Sequence, residues 1–259
     1  MKKPLYIVKI GGNIVDNPAM VEDFITHFEK LPSPKLLVHG GGKLATRLSQ
    51  KLGIESKLIE GRRITSKEEL EIVTMVYAGK INKDLVAHLQ AKNINALGFT
   101  GADANILVAK KRPVKEIDYG FVGDVEKVNT EFLALCLENN IVPVCCAITH
   151  DGNGQLFNTN ADTIAKELAV GLSESFEVNL MYCFEKKGVL QDAQDDDSVI
   201  PIISLSDFEN LKAEQIISEG IIPKLTNSFE ALKQGVNGVM IGNTSMLSLN
   251  NSTYTLLKL

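Results

Sequence analysis

Leu5-Tyr6-Ile7-Val8-Lys9-Ile10-Gly11-Gly12 is an apolar run that ends in a lysine and two residues without side chains. Its unbroken apolar character predicts a buried strand rather than one with a wet face. A lysine at the end of such a strand, followed by bare backbone, suits a phosphate. The ammonium neutralises charge while main-chain N–H groups approach the oxygens, as at other glycine-rich turns between strand and helix. A plainer reading is a strand-end lysine extended to water, with the glycines serving only the turn. On the tetrapeptide 9–12 alone the plainer reading has precedence, because glycine turns are common.

The pattern recurs downstream. After a predicted helix over 19–30, stopped by Pro32-Ser33-Pro34, a second buried strand Leu36-Leu37-Val38-His39 runs into Gly40-Gly41-Gly42-Lys43. A helix is expected from about Leu44. The turn matches GxGxxA through Gly40, Gly42 and Ala45, with Glu60 twenty residues on, which raises a dinucleotide-binding oxidoreductase as an alternative. It is not a Walker loop, since Leu44 stands where Ser or Thr is required. His39 reads as a hydrogen-bonded core histidine rather than a catalytic one. Residues 57–65 predict a short extended or hairpin segment carrying Gly61-Arg62-Arg63; an arginine there either clamps a carboxylate or sits in a solvated loop. Ser66-Lys67-Glu68-Glu69 is a capping box. It opens a long helix whose stripe Leu70, Val73, Val76, Tyr77, Ile81, Leu85 and Leu89 faces the core.

In the second half, Phe157-Asn158-Thr159-Asn160-Ala161-Asp162 places Asn160 as a helix N-cap and Asp162 in the first turn. Asn158 and Asn160 share one face if the segment is extended, and present amides to a polar ligand. A strand over 178–184 ends in Glu185-Lys186-Lys187-Gly188. Asp195-Asp196-Asp197 reads as a solvated loop rather than a metal site, and a helix is expected over 207–218. Pro223 falls near N1 of a further helix with Lys224 behind it. A lysine there opposes the helix dipole, which makes sense beside an anion. Strand and helix patterns alternate throughout, the signature of a mainly parallel sheet covered on both faces. A division into lobes 1–150 and 151–259 is expected near Asp151-Gly152-Asn153-Gly154.

Bulk properties narrow the field. The 259 residues are 44% hydrophobic and 23% charged, with a net charge of −5. No basic block exists to grip nucleic acid or an anionic membrane. No apolar run approaches the ~18 residues that span a bilayer. The four cysteines lack metal-binding spacing and read as free thiols of a reducing, cytoplasmic setting.

Taken together and in this order, KIGGN (9–13), HGGGK (39–43), GRRIT (61–65), VGDVEKVN (122–129), DGNGQL (151–156), FNTNAD (157–162) and IIPK (221–224) resemble the amino acid kinase family over nearly the whole chain. The resemblance implies a three-layer αβα sandwich around a mainly parallel sheet of about eight strands. It implies ATP with Mg²⁺, and phosphoryl transfer to the γ-carboxylate of an N-acyl-glutamate in arginine biosynthesis. The acyl group would be N-acetyl or, as a runner-up, a bulkier N-succinyl. Lys9 and Lys224 would stabilise the transferring phosphoryl and Asp162 would orient both. Gly41, Gly42, Arg63, Asn158 and Asn160 would hold the acceptor. Gly11, Gly12, Glu185 and Gly188 would lie on the nucleotide side. No protein metal ligand is assigned. The chemistry fits such a set, because phosphoryl transfer is mostly positioning and charge neutralisation, and an ionised acceptor needs no general base.

The sequence departs from the family at 184–188, at Gly101-Ala102-Asp103-Ala104 and at Glu219, which leaves a non-catalytic ligand sensor as a third class. Absence of the extra N-terminal helix of arginine-inhibited relatives leads to an expected homodimer without arginine feedback.

Overall fold

The computed structural model describes residues 2–59, 62–192, 194–214, 216–217, 221–249 and 252–259. Glu60, Gly61 and Glu219, named above, and the end of the helix expected over 207–218 lie outside these. Contacts divide the chain into two compact units, Met1–Leu36 with Ala165–Leu259, and Leu37–Ile164. The division differs from a cut near residue 151. The first strand, Lys3–Ile10, pairs in parallel with Phe176–Cys183, so long-range pairing commits the N-terminus to the C-terminal half.

In the first unit five strands run in the order Ile202–Ser204, Thr255–Lys258, Gly238–Gly242, Phe176–Cys183, Lys3–Ile10. All neighbours are parallel except Gly238–Gly242 with Thr255–Lys258. Phe176–Cys183 is buried at every position but one, as a strand covered on both faces must be. Helix Pro18–Lys30 starts at Asn17, whose side chain accepts from the Ala19 and Met20 N–H groups. Lys35 closes its other end, donating from Nζ to the Phe28 and Leu31 carbonyls at 2.6 and 2.7 Å.

In the second unit Lys35–His39 (from Leu37 on), Val142–Cys146 and Ala96–Phe99 are parallel neighbours in that order. These three and the five above account for the eight predicted strands, in an α/β fold with mainly parallel pairing. A smaller sheet orders Leu156–Asn158, Ile148–His150, Leu107–Lys111 and Gly123–Val128. The expected hairpin is present as Leu58–Ile59 paired with Arg62–Arg63.

The long helix after Ser66 is not uniform. An α segment Lys67–Thr74 passes into seven residues of π-helix, Met75–Ile81, and then into α-helix Asn82–Ala91. The capping box is half made. Ser66 Oγ accepts from the Glu69 N–H at 3.2 Å, but the Glu69 carboxylate is engaged with Arg63 instead. Among the described residues no helix is long and apolar enough to cross a membrane.

Candidate functional site

The lysine-led turn belongs to the first unit. Lys9 is the register partner of Tyr182 in the adjacent parallel strand, so the two side chains leave the sheet on one face. Gly11 N–H donates to the Cys183 carbonyl at 3.2 Å, which holds the turn against the end of that strand. Among the described residues, a Cβ built on Gly11 would meet within 4 Å only this carbonyl oxygen, at 3.7 Å. Lys224 lies in the first turn of helix Ile222–Lys233, where Pro223 occupies the predicted position. Its Nζ stands over the Tyr182 ring, 4.8 Å from the centroid. Buried Tyr182 is thus the register neighbour of one predicted lysine and the ring beneath the other.

Residues 184–188 divide into unlike halves. Glu185 is exposed. Gly188 is required by packing, since a Cβ would come within 2.6 Å of Val199 and 2.7 Å of Thr255. Asp196 and Asp197 of the acidic loop each pair with a lysine, Lys186 and Lys187, at 2.5 Å.

The second unit holds every residue predicted for the acceptor. Helix Gly42–Lys51 starts at Gly41 without any side-chain cap, which leaves its first N–H groups to other partners. Glycine is favoured at 41, because a Cβ would lie 2.1 Å from Ile81 Cδ1 and 3.1 Å from the Tyr77 ring and would push the end of the isoleucine aside. Gly40 packs against Ala161. The start of helix Ala161–Leu172 is capped as predicted, Asn160 Oδ1 accepting from the Asp162 and Thr163 N–H groups at 2.8 and 3.2 Å. Asn158 donates from Nδ2 to Thr65 Oγ1 at 3.0 Å, which ties it to the strand that carries Arg63.

Arg63 is buried and heavily engaged. Its Nη1 donates to Glu69 Oε2 and Ser56 Oγ, both at 2.7 Å, and its Nη2 to the Gly42 carbonyl at 2.9 Å and Thr46 Oγ1 at 2.6 Å. Ser56 Oγ donates in turn to Glu69 Oε1. Arg63 thus grips the glycine turn directly, against the expectation of an arginine held open for a ligand.

His39 is fully buried and its pKa falls to about 4, chiefly through desolvation, with the Gly40 carbonyl opposing. It is a neutral core histidine, as read from the sequence. Burial pushes the Tyr77 phenol up, with Arg63 opposing. The four cysteines are free and buried, and burial raises each thiol, so none has nucleophilic character.

Three residues of this unit escaped sequence reading: Glu69, taken for half of a capping box; Tyr77, counted in a core stripe; and Asn82, a buried polar residue inside a helix. The available signal was Gly98. A glycine inside a strand marks a close approach, and a Cβ there would lie 1.9 Å from Asn82 Oδ1. A separate cavity of about 510 Å³, lined in part by Leu70, Met75, Phe121 and Leu156, holds none of the predicted residues.

Residues 4–243 match the model of the amino acid kinase family. A protein of Phocaeicola vulgatus called acetylglutamate kinase is 54% identical over 258 residues, covering 100% of both chains. Its namesake from Bacteroides thetaiotaomicron is 53% identical, covering 98% of each. Among solved structures, N-acetylglutamate synthase from Neisseria gonorrhoeae superposes with a TM-score of 0.83 at 19% identity, over 98% of this chain and 59% of that one. Carbamate kinase from Giardia lamblia bound to AMP-PNP gives 0.70 at 13% identity, over 98% of both. At such identities the structures speak for the fold alone.

Proposed function

Because the chain belongs to the amino acid kinase family, we propose that it transfers the γ-phosphoryl group of ATP to the γ-carboxylate of N-acetyl-L-glutamate, a step of arginine biosynthesis. Relatives at 54% and 53% identity over essentially the whole chain carry that activity in their names.

The observation that carries the residue assignment is that Lys9 is the register partner of Tyr182, whose ring lies under Lys224 Nζ. Phosphoryl transfer passes through a state with negative charge spread over the equatorial oxygens, and a lysine on the strand next to Tyr182 and another over its ring are suited to it. The dipole at the start of helix Ile222–Lys233 disfavours a lysine, and an anionic ligand would offset that cost. Asp162 is the third catalytic residue of this reading, and Gly11 and Gly12 offer nucleotide phosphates bare backbone. Glu185 and Gly188 stay on the nucleotide side, Gly188 for a packing reason of its own. No cluster of three metal-ligating side chains occurs among the described residues. Mg²⁺ would therefore arrive on the nucleotide, where it neutralises charge between the β- and γ-phosphates.

The acceptor side falls to Leu37–Ile164 and the nucleotide side to the other unit. Uncapped N–H groups at Gly41 and Gly42 meet the acceptor, with the amides of Asn158 and Asn160. Arg63 reaches a substrate carboxylate by exchanging one of its neutral hydroxyl partners, Ser56 or Thr46. The same proposal has the protein acting in the cytoplasm, which its buried free thiols suit, and as a homodimer.

ADP release on mixing with ATP, Mg²⁺ and N-acetyl-glutamate tests the reaction. An acyl series through N-succinyl-glutamate tests the acceptor, and a higher kcat/KM for the succinyl compound would replace it. Sedimentation as a monomer at assay concentration would remove the dimer.

A further inference from the structure

The buried imidazole of His39 sits beside the acceptor turn and has no part in the chemistry above. Its surroundings are complete. Nδ1–H donates to the Gly40 carbonyl at 2.9 Å, and Nε2 accepts from Asn82 Nδ2 at 3.1 Å. The second Nδ2 hydrogen of Asn82 goes to the Val144 carbonyl at 2.9 Å, and its Oδ1 accepts from Lys83 Nζ at 3.1 Å. Every polar atom of the Asn82 amide is used, so its orientation is fixed, and the imidazole tautomer follows from it.

Two glycines make this arrangement possible. Gly98 opens its strand to admit Asn82, and Gly41 lets Ile81 and Tyr77 press against the turn. Asn82 itself is aimed by the seven-residue π segment that ends one residue before it. Such segments are rare and concentrate at functional sites.

A trans peptide is planar, with its C=O and the following N–H pointing in opposite directions. Holding the Gly40 carbonyl toward the buried imidazole therefore turns the Gly41 N–H away from it. We propose that His39, set by Asn82, is a positioning residue for the acceptor: it locks the Gly40–Gly41 peptide in the orientation that presents the Gly41 N–H to the substrate. The proposal rests on the acceptor role given to Gly41 above, and on the geometry of one unit alone.

Two variants separate positioning from mere filling of space. Asparagine at 39 places an amide nitrogen where Nδ1 stands and keeps the donor to Gly40. Glutamine instead reaches toward Asn82 and loses that donor. His39→Gln should raise the KM for N-acetylglutamate about tenfold, the worth of one well-aimed hydrogen bond. Its kcat and its KM for ATP should stay within about twofold. His39→Asn should keep the KM within about threefold of wild type, whatever its melting temperature. Equal KM values in the two variants, or a parallel rise in the KM for ATP, would overturn the proposal.

Should both variants misfold, wild-type protein labelled with ¹⁵N-histidine and ¹⁵N-glycine decides. The ring must remain Nδ1-protonated and the Gly41 amide must shift on addition of N-acetylglutamate. An Nε2-protonated ring, or a Gly41 amide indifferent to the acceptor, refutes it. Wild-type enzyme that releases no ADP with N-acetylglutamate would overturn the functional reading and this proposal with it. Normal activity with an unchanged KM in His39→Gln would overturn this proposal alone.

Discussion

Two strands in this molecule end in glycine turns, and the turns use glycine for opposite reasons. At Gly11 a Cβ would find, among the described residues, one carbonyl oxygen at 3.7 Å. At Gly41 the space for one is already filled by Ile81 and Tyr77. The first turn is led by Lys9, half-exposed beside Tyr182; the second by His39, buried and neutral. One glycine leaves room for something that is not protein, while the other lets protein crowd in and stiffen a loop. A sequence motif of glycines records neither purpose; only the neighbours do.

The strongest way to strain the crowded turn is through Arg63. Its ion pair with Glu69 leaves the two side chains 5% and 2% exposed. Arg63→Ala strands a buried carboxylate and frees the Gly42 carbonyl, and should cost about 3–5 kcal/mol in denaturant unfolding. The KM for N-acetylglutamate should rise as well. A variant of wild-type stability would show that the turn does not depend on this grip.

On the open turn the expected loss is in rate. Lys9→Ala or Lys224→Ala should lower kcat a hundredfold or more, about 3 kcal/mol of barrier, with stability nearly unchanged. Either variant turning over at a near-normal rate would dissolve the contrast between a chemical turn and a structural one.

Acid should reach the crowded turn only. His39 titrates near 6.5 in the unfolded chain and at about 4 in the fold. The unfolded state therefore takes up the proton first as pH falls. The stability tied to the neutral ring is complete above pH 6.5 and is lost between 6.5 and 4, by up to about 3 kcal/mol. Unfolding curves across that window should be flatter for His39→Asn than for wild type. Parallel curves would mean that the ring is not held neutral.

The smallest effects give the sharpest comparison. Gly41→Ala should cost about 1–3 kcal/mol by overpacking against Ile81 and Tyr77. Gly11→Ala, at an extended backbone position that alanine accepts, should change stability by no more than about 0.5 kcal/mol. It should nevertheless raise the KM for ATP. Equal melting temperatures for the two variants would refute the distinction drawn between the turns.

Much of this was legible in the chain itself, for a physical reason. Strand cores, the Ser66 and Asn160 caps and the proline opening helix Ile222–Lys233 depend on near neighbours in sequence, and local chemistry predicts them. The hairpin at Arg63 was readable too. What Arg63 does there was not, because Thr46, Ser56 and Glu69 approach it from separate segments. The same holds for the division into units, which turns on a pairing between residues more than 170 positions apart. The π segment was hidden because its apolar stripe satisfies a helical period either way.

That segment has a consequence for anyone who edits this protein. A π stretch accommodates one residue more than an α ladder would, and a helical residue spans about 100° of rotation. Removing the exposed Gly79 would let the segment rewind into an α ladder with Asn82 still facing His39, whereas removing a residue from the flanking α segment Lys67–Thr74 would swing Asn82 by roughly that angle. A one-residue gap in an alignment is therefore best absorbed within Met75–Ile81, and the same gap in the α segments on either side is the damaging one.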